Sequence, residues 1–585
     1  MKVYLPVMIQ DPRTSQLEGM KPVEGFHADR EEFFLDGPVI RRLAVVDFDP
    51  ETGEVVAGAC FKPPARGRKL GRYLSRDGED LKNAKGDQLY EPAFLQVSVF
   101  AMVLRTVYMV ERKATLGRPL AWGFDGPQLL VVPRAGLGRN AYYHRDSRSL
   151  QFFYFPSRRD ATKTIFTCLS RDIVAHETGH VIIDGIAPDL YDAITPQSLG
   201  IHEAIADLTA LLMAFDSHNL REFVLKRTEG SIAKPGIFCA IAEEFGEELR
   251  RKGGLRSLHN QRNLNPQDSR HSVDRYESHD LSQALSGALY SVMMEIHNDL
   301  WLEHAAMPEN VDKPKYSTSG GALRKGAERF QRLVFRALDY LPPGEISYAD
   351  YGRAIMTVDQ VAYPDDPKIR NWVKAQFTGR HLVLDEASLG VDTDFEREDP
   401  EAIDVRALHD SDWAAYQYAN AHRDLLGIPE EIPFQVRPRQ HVLKKYQGGE
   451  GEECILKVAW DHVEDSSLDS GYPKKRRITV GTTVAIDWET GRILARLTNA
   501  PPERRLLAFD REYRLRRQEY EQQRHDRDVF VGGLAASGLL KLGSDALDPD
   551  GRPLRSVVHA DVIGDAMKAR GTGKTLHIAQ EDSHG

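Results

Sequence analysis

The chain has 585 residues, of which 41% are hydrophobic and 28% charged. It is too long for one core and is expected to divide into about two to four domains of an ordinary soluble type. Its formal net charge of -10 excludes a nucleic-acid footprint, which needs a basic face, and basic runs such as Pro473–Arg477 are short enough to be solvated loops.

Residues 1–92 read as a β-rich segment, in which Arg41–Phe48 and Glu54–Phe61 flank a DPETG turn and predict a hairpin. From Phe94 to about Lys113 the pattern turns helical. After proline and glycine punctuation, Asn140–Phe155 alternates and predicts a strand or hairpin. Two helices with buried-type polar residues follow, one carrying HETGH (His176–His180) and the next HEAIAD (His202–Asp207). Residues 207–380 are mostly helical, apart from a polar loop at 253–278. An acidic connector is expected over about 383–435, then strands at Cys454–Val463 and Ile478–Thr498 around a WETG turn. Glu503–Asp528 reads as an arginine-rich helix with Leu506, Phe509, Tyr513 and Tyr520 on one face, suited to docking on its own domain or on a partner. GTGKT at Gly571–Thr575 lacks the leading glycine of a phosphate loop, which is Lys568 here, and is set aside.

The four cysteines, Cys60, Cys168, Cys239 and Cys454, are scattered without a CxxC pair; this suits free thiols in a reducing compartment, although one disulfide stays compatible. The N-terminal run MKVYLPVMIQ meets charge and proline too early for a secretion signal. No stretch is read as long enough to span a membrane, so the cytoplasm is the expected location.

HETGH concentrates the chemistry. Histidines four apart on a helix share a face, so His176 and His180 can point at one ion while Glu177 stands beside them to work on water. A hydrolytic zinc keeps its fourth position open and therefore needs a third protein ligand. Glu203 is the candidate, with Asp207 one turn on to brace a ligand histidine; His202 adjoins Glu203 and is expected to point away from the ion. HExxH alone arises by chance in roughly one such chain in twenty, so the second motif matters.

In these motifs the chain resembles the thermolysin-like zinc metallopeptidases, whose third ligand is a glutamate. HETGH is similar to that family's zinc helix and HEAIAD to its NEAISD helix; Asp184 also matches. Asn140-Ala141-Tyr142-Tyr143 resembles the edge strand that binds substrate backbone, and Leu255-Arg256-Ser257 the segment whose arginine holds a substrate carbonyl. His279, with Asp274 before it and Ser282 after, resembles the histidine that stabilises the transition state, oriented by an aspartate; Tyr191 lies where the family has a second such donor. Phe335-Arg336-Ala337-Leu338 and the helices to about 380 resemble its C-terminal helical subdomain. The likeness covers about residues 95–382.

The resemblance implies an α+β fold: a two-subdomain metallopeptidase core, 93–205 and 206–382, between the N-terminal β-rich segment and a β-rich extension at 383–585. It implies one zinc on His176, His180 and Glu203, and endopeptide hydrolysis by Glu177-assisted attack of zinc-bound water. Catalytic roles follow for His279 and Tyr191, bracing roles for Asp207 and Asp274, and substrate contacts for Asn140, Ala141 and Arg256. Ile173 and Leu255 match the family's primary pocket, so cleavage is expected before bulky apolar residues. For calcium the pattern is broken, because Ala214 stands where a ligating glutamate is usual although Asp172 fits. The implied partner is a protein or peptide substrate, with neither nucleic acid nor membrane; the extension is a possible regulatory or partner contact. An exopeptidase, a peptidase with a single target and a non-catalytic metal-containing interaction protein remain alternatives.

Overall fold

The computed structural model describes residues 2–536 except 13–16, 18, 32, 68, 161, 194, 235–237, 239, 242–255, 392–402, 467–474 and 503–509. In chain order the first elements are β1 (Lys2–Met8), β2 (Val23–Ala28), β3 (Val39–Ile40), β4 (Leu43–Val45), β5 (Cys60–Lys62), β6 (Leu70–Leu74) and α1 (Pro92–Val110). Then come β7 (Leu129–Val132), β8 (Ala141–His144), β9 (Ser149–Phe152), β10 (Tyr154–Pro156) and β11 (Thr164–Phe166). A helical run follows: α2 (Arg171–Ile186), α3 (Pro196–Asp216) and α4 (His218–Arg227), the short pair β12 (Ala240–Ile241) and β13 (Arg256–Ser257), then α5 (Ser278–Ala305) and α6 (Lys315–Gln331). A π-helical turn, Arg332–Arg336, leads into α7 (Ala337–Tyr340), α8 (Tyr348–Ala362) and α9 (Lys368–Gly379). The remainder is α10 (Val405–Asp410), α11 (Asp412–Ala421), α12 (Arg423–Leu426), β14 (Phe434–Val436), β15 (Gln440–Tyr446), β16 (Gly449–Asp465), β17 (Lys475–Asp487), β18 (Ile493–Thr498) and α13 (Asp510–Ala536). The class is α+β.

A four-stranded sheet runs β2-β1-β6-β5 and a five-stranded one β3-β4-β7-β9-β8, which leaves β8 on an edge. β8 and β9 form the expected hairpin, with Ala141 opposite Phe152 and Tyr143 opposite Leu150. The hairpin expected across 41–61 does not form. Its turn is present, since Phe48 bridges Val55 and Asp49 N donates to Glu54 O at 2.8 Å, but β4 joins the five-stranded sheet and β5 the four-stranded one. A strong turn signal fixes only the local reversal; where each flanking strand pairs depends on which sheet buries its apolar face.

The site is carried by helices. α1 starts with Pro92 at its first turn, where a missing N–H costs nothing, and is apolar almost all round because it is buried between β1 and α2. α2 packs on α3 and α3 on α5. At the α2–α3 crossing, a Cβ on Gly179 would lie 2.9 Å from Ala206 Cα and 3.0 Å from Thr209 Oγ1, so glycine lets the helices approach closely. The expected subdomain boundary at 205/206 falls inside α3, a continuous buried helix. α1 and α3 are both long and apolar enough to cross a membrane, contrary to the sequence reading, with 89% and 94% of the apolar window buried inside the protein.

Past α9, the described part of the expected connector carries α10, α11 and α12. α10, α11 and α12 cover one face of the sheet β14-β16-β17-β18, in which β15 also pairs with β16. Alternation along the strands serves two cores. Cys454, Leu456, Val484 and Ile486 face these helices, whereas Val442, Ile455, Ala485, Ala495 and Leu497 join the main core.

A buried polar seam binds the two. Arg118 donates to Asp339 at 2.6 Å, Lys444 lies 3.7 Å from Asp339 and 3.2 Å from Glu453, and the Tyr340 and Tyr446 hydroxyls donate to Glu453. Burial pushes Lys444 down from its ordinary value and Lys457 down to about 8, although Asp339 opposes both shifts. Burial would raise the Asp339 carboxyl, yet Arg118, Lys444 and Lys457 hold it below its usual range. The backbones touch here, because Gly117, with φ +72°, would place a Cβ 1.8 Å from Leu443 O. The last described helix, α13, is clamped by Arg527 to Glu345 and Glu464, and Arg353 reaches its Glu519 at 3.2 Å. Tyr520 donates to Glu464 at 3.1 Å, while Leu506 and Phe509 lie outside the described residues.

Candidate metal centre

Ser170 caps α2 by accepting from Ile173 N, and the helix then presents His176, Glu177 and His180 inward. Glu203 arrives from α3, one turn above the Gly179 crossing partner Ala206. His176 Nε2 is 3.5 Å from Glu203 Oε2, His180 Nε2 is 3.6 Å from Glu203 Oε1, and the two Nε2 atoms are 3.1 Å apart. The three donor atoms lie within 4.8 Å of one another and all three residues are buried. This group could hold a metal ion.

Behind it, Asp207 Oδ1 lies 3.0 Å from His176 Nδ1, so α3 supplies both a donor to the group and a brace for another. Glu177 is completely buried on the same helix turn. Burial opposes charge on His176, but bonds from Asp207 and Glu203, with Glu177 nearby, push its imidazole up to about 9. Burial likewise works against the Glu203 carboxylate, yet His279, His180 and His176 hold its carboxyl well below the ordinary range. Both shifts report a pocket in which imidazoles and carboxylates face each other at close quarters.

His279 enters from the first turn of α5, its Nε2 3.4 Å from Glu203 Oε2. Its orienting partner is Glu277, not Asp274. Glu277 caps α5 by accepting from the backbone N–H of His279 and Asp280, and its Oε1 is 3.1 Å from His279 Nδ1. Burial would raise the Glu277 carboxyl, and His279 holds it below its usual value. Asp274 instead accepts from Tyr276 N at 2.8 Å. Spacing misled because the helix begins at Ser278, which places the capping acid, two residues before the histidine, against its ring.

Tyr191 is buried, and its hydroxyl accepts from Arg145 N at 3.4 Å while the Arg145 guanidinium lies 4.1 Å from its ring centre. Arg145 also binds Asp184 and Asp192, and Tyr143 donates to Asp184 at 2.6 Å. Tyr191 thus sits in a polar group beside His202, 6.1 Å away ring to ring. Asn140 precedes edge strand β8, where its Oδ1 accepts from Ala141 N at 2.9 Å and Ala141 is buried. Ile173 is buried in the first turn of α2. Arg256 pairs with Ile241 in β13, and Leu255 lies outside the described residues. Asp172 is held by Arg171, and Gln10 donates to it at 3.3 Å; Ala214 is buried in α3. Among the described residues Cys60, Cys168 and Cys454 are free thiols.

Sequence reasoning missed Glu277, whose signal was an acid immediately before a helix start, and the true partner of His202. His202 stands beside Glu203 on α3, and its Nδ1 meets Nδ1 of His180 at 2.7 Å. Compared with known proteins, the chain matches no family model and no curated protein. The arrangement of side chains therefore carries the functional reading.

Proposed function

We propose that the protein is a zinc-dependent endopeptidase of thermolysin-like design. The observation that carries this reading is the convergence of His176, His180 and Glu203 beside the buried Glu177. Zinc bonds of about 2.0–2.1 Å in a tetrahedral arrangement set neighbouring donors roughly 3.3 Å apart, and the donor separations of 3.1, 3.5 and 3.6 Å fall around that value. Two imidazoles and one carboxylate are also a donor set that zinc accepts.

When bound, zinc supplies Lewis-acid polarisation of water and of the scissile carbonyl. Glu177 takes the proton of the attacking water and delivers it to the leaving amine. His279, aimed by Glu277, donates from Nε2 to the oxyanion that develops, a role worth roughly 2.7–4 kcal/mol in comparable sites. β8 stands at the edge of its sheet, the position at which an extended substrate adds as one more strand. Ile173 suits an apolar side chain beside the cut.

The test is zinc content and casein or quenched-peptide hydrolysis for wild type and Glu177→Gln. About one zinc per chain in both, with turnover lower by about 10²–10⁴-fold in the variant, is expected. Full activity in the variant sinks the mechanism, and unchanged metal content with no hydrolysis by wild type favours a non-catalytic metal protein. Mapped cut sites before bulky apolar residues support the specificity, and blocked against free-amine peptides separate endopeptidase from exopeptidase.

A further inference from the structure

The two histidines of HETGH are braced by different chemistry. His176 Nδ1 meets a carboxylate, Asp207 Oδ1, at 3.0 Å, whereas His180 Nδ1 meets another imidazole, His202 Nδ1, at 2.7 Å. The planes of His180 and His202 differ by only 16° and their centres are 4.7 Å apart. Rings in face-to-face contact keep their atoms about 3.5 Å apart or more, so a nitrogen pair at 2.7 Å means that the rings meet edge to edge in nearly one plane. That is the geometry of an N–H···N hydrogen bond.

Proton placement follows by counting. The Nε2 atom of His180 faces His176 and Glu203 and must offer a lone pair to any metal held there. The one ring proton of neutral His180 is then on Nδ1 and points at His202, whose Nδ1 must be an acceptor and whose own proton must sit on Nε2. His202 is buried, with Tyr191 against it on the side of the Arg145 and Asp184 group.

We infer that His202 is a positioning residue for the metal centre: it fixes the tautomer and orientation of His180 through a neutral imidazole at Nδ1, where His176 has the carboxylate of Asp207. The inference rests on the metal reading above and goes beyond it by assigning a role to a side chain outside the HExxH and glutamate set. A neutral acceptor withdraws less proton density than a carboxylate, so the His180 arm gives the weaker metal bond of the pair.

The test uses full-length protein and zinc affinity measured by competition with a chromogenic chelator, together with the melting temperature of the metal-free form. His202→Ala is expected to weaken zinc binding about 10–100-fold, the usual effect of losing a partner of a ligating histidine. His202→Asn, which keeps an acceptor oxygen, is expected to recover most of that loss. His202→Asp, which gives His180 the kind of partner His176 already has, is expected to bind zinc at least as tightly as wild type. Unchanged affinity in His202→Ala overturns the inference. So does an equal loss in His202→Ala and His202→Asn with an equal fall in apo melting temperature, which makes His202 a packing residue. If wild type itself takes up no zinc, the metal reading fails first and this inference falls with it.

Discussion

The cluster around Glu203 and the cluster around Asp339 are both buried, but they balance charge differently. At the seam, Asp339 and Glu453 face the basic side chains of Arg118 and Lys444, with Lys457 close by. Around Glu203 and Asp207 the facing groups are imidazoles, which carry charge only when protonated. The seam is electrically complete as a protein structure, whereas the His/Glu cluster becomes complete when its imidazoles are protonated or when a cation joins it. One cluster is glue and the other a receptacle.

Truncation after Arg380 separates the two roles most sharply. It removes Val442, Ile455 and Leu497 from the main core and takes Lys444 from Asp339 and Glu453 from the Tyr340 hydroxyl, so the expected product is insoluble. Soluble yield and metal content decide it; a soluble, zinc-loaded, active fragment would break the comparison, since the extension would then be dispensable to the core.

Single substitutions sharpen it. Asp339→Ala strands Arg118 in the interior, while Lys444 keeps Glu453, and is expected to cost about 3–5 kcal/mol in urea unfolding of the metal-free protein. Asp207→Ala is expected to appear chiefly as a roughly 10–100-fold loss of zinc affinity. If both act equally on apo stability, the receptacle is only another piece of glue.

The smallest effect is a pH slope. The folded protein gives up the Lys457 proton near 8, while the unfolded chain keeps it to the ordinary value of 10.5. Between these values the unfolded state binds more protons, so this group makes stability rise with pH across that window. From about pH 8 to about pH 9.5 the rise is on the order of 1–2 kcal/mol. Lys457→Met should flatten it in denaturant titrations at the two pH values; an unchanged slope assigns the effect to other groups.

What could be read from sequence and what could not divide along the same line. The i,i+4 histidines of α2 and the motif on α3 are local patterns, and the structure gathers His176, His180 and Glu203 into one group. The β8–β9 hairpin was legible because both strands pair with sequence neighbours. The 41–61 hairpin was misread because its strands pair elsewhere. Glu277 was overlooked in favour of Asp274 because the start of α5, and with it the capping position, could not be located to the residue. The seam left no trace, since Arg118 and Asp339 are 221 residues apart and a long-range ion pair imposes no periodicity on either segment. The sheet that buries Ile455 one way and Leu456 the other was recognisable as strands, but not as a layer between two cores.

The contact of Gly117 with Leu443 has a consequence in time. Lys113, beside it, pairs with Glu450 across 337 residues of sequence. At synthesis rates of about 5–20 residues per second, the second side of the seam leaves the ribosome roughly 15–70 s after the first. Through that interval Arg118 and α1 exist without their final covering, and in its last part α2, α3 and α5 are already complete. A nascent chain is therefore able to assemble the His/Glu cluster before it closes the seam, and its most aggregation-prone stage is a late one, with α2, α3 and α5 in place and the last sheet still being made.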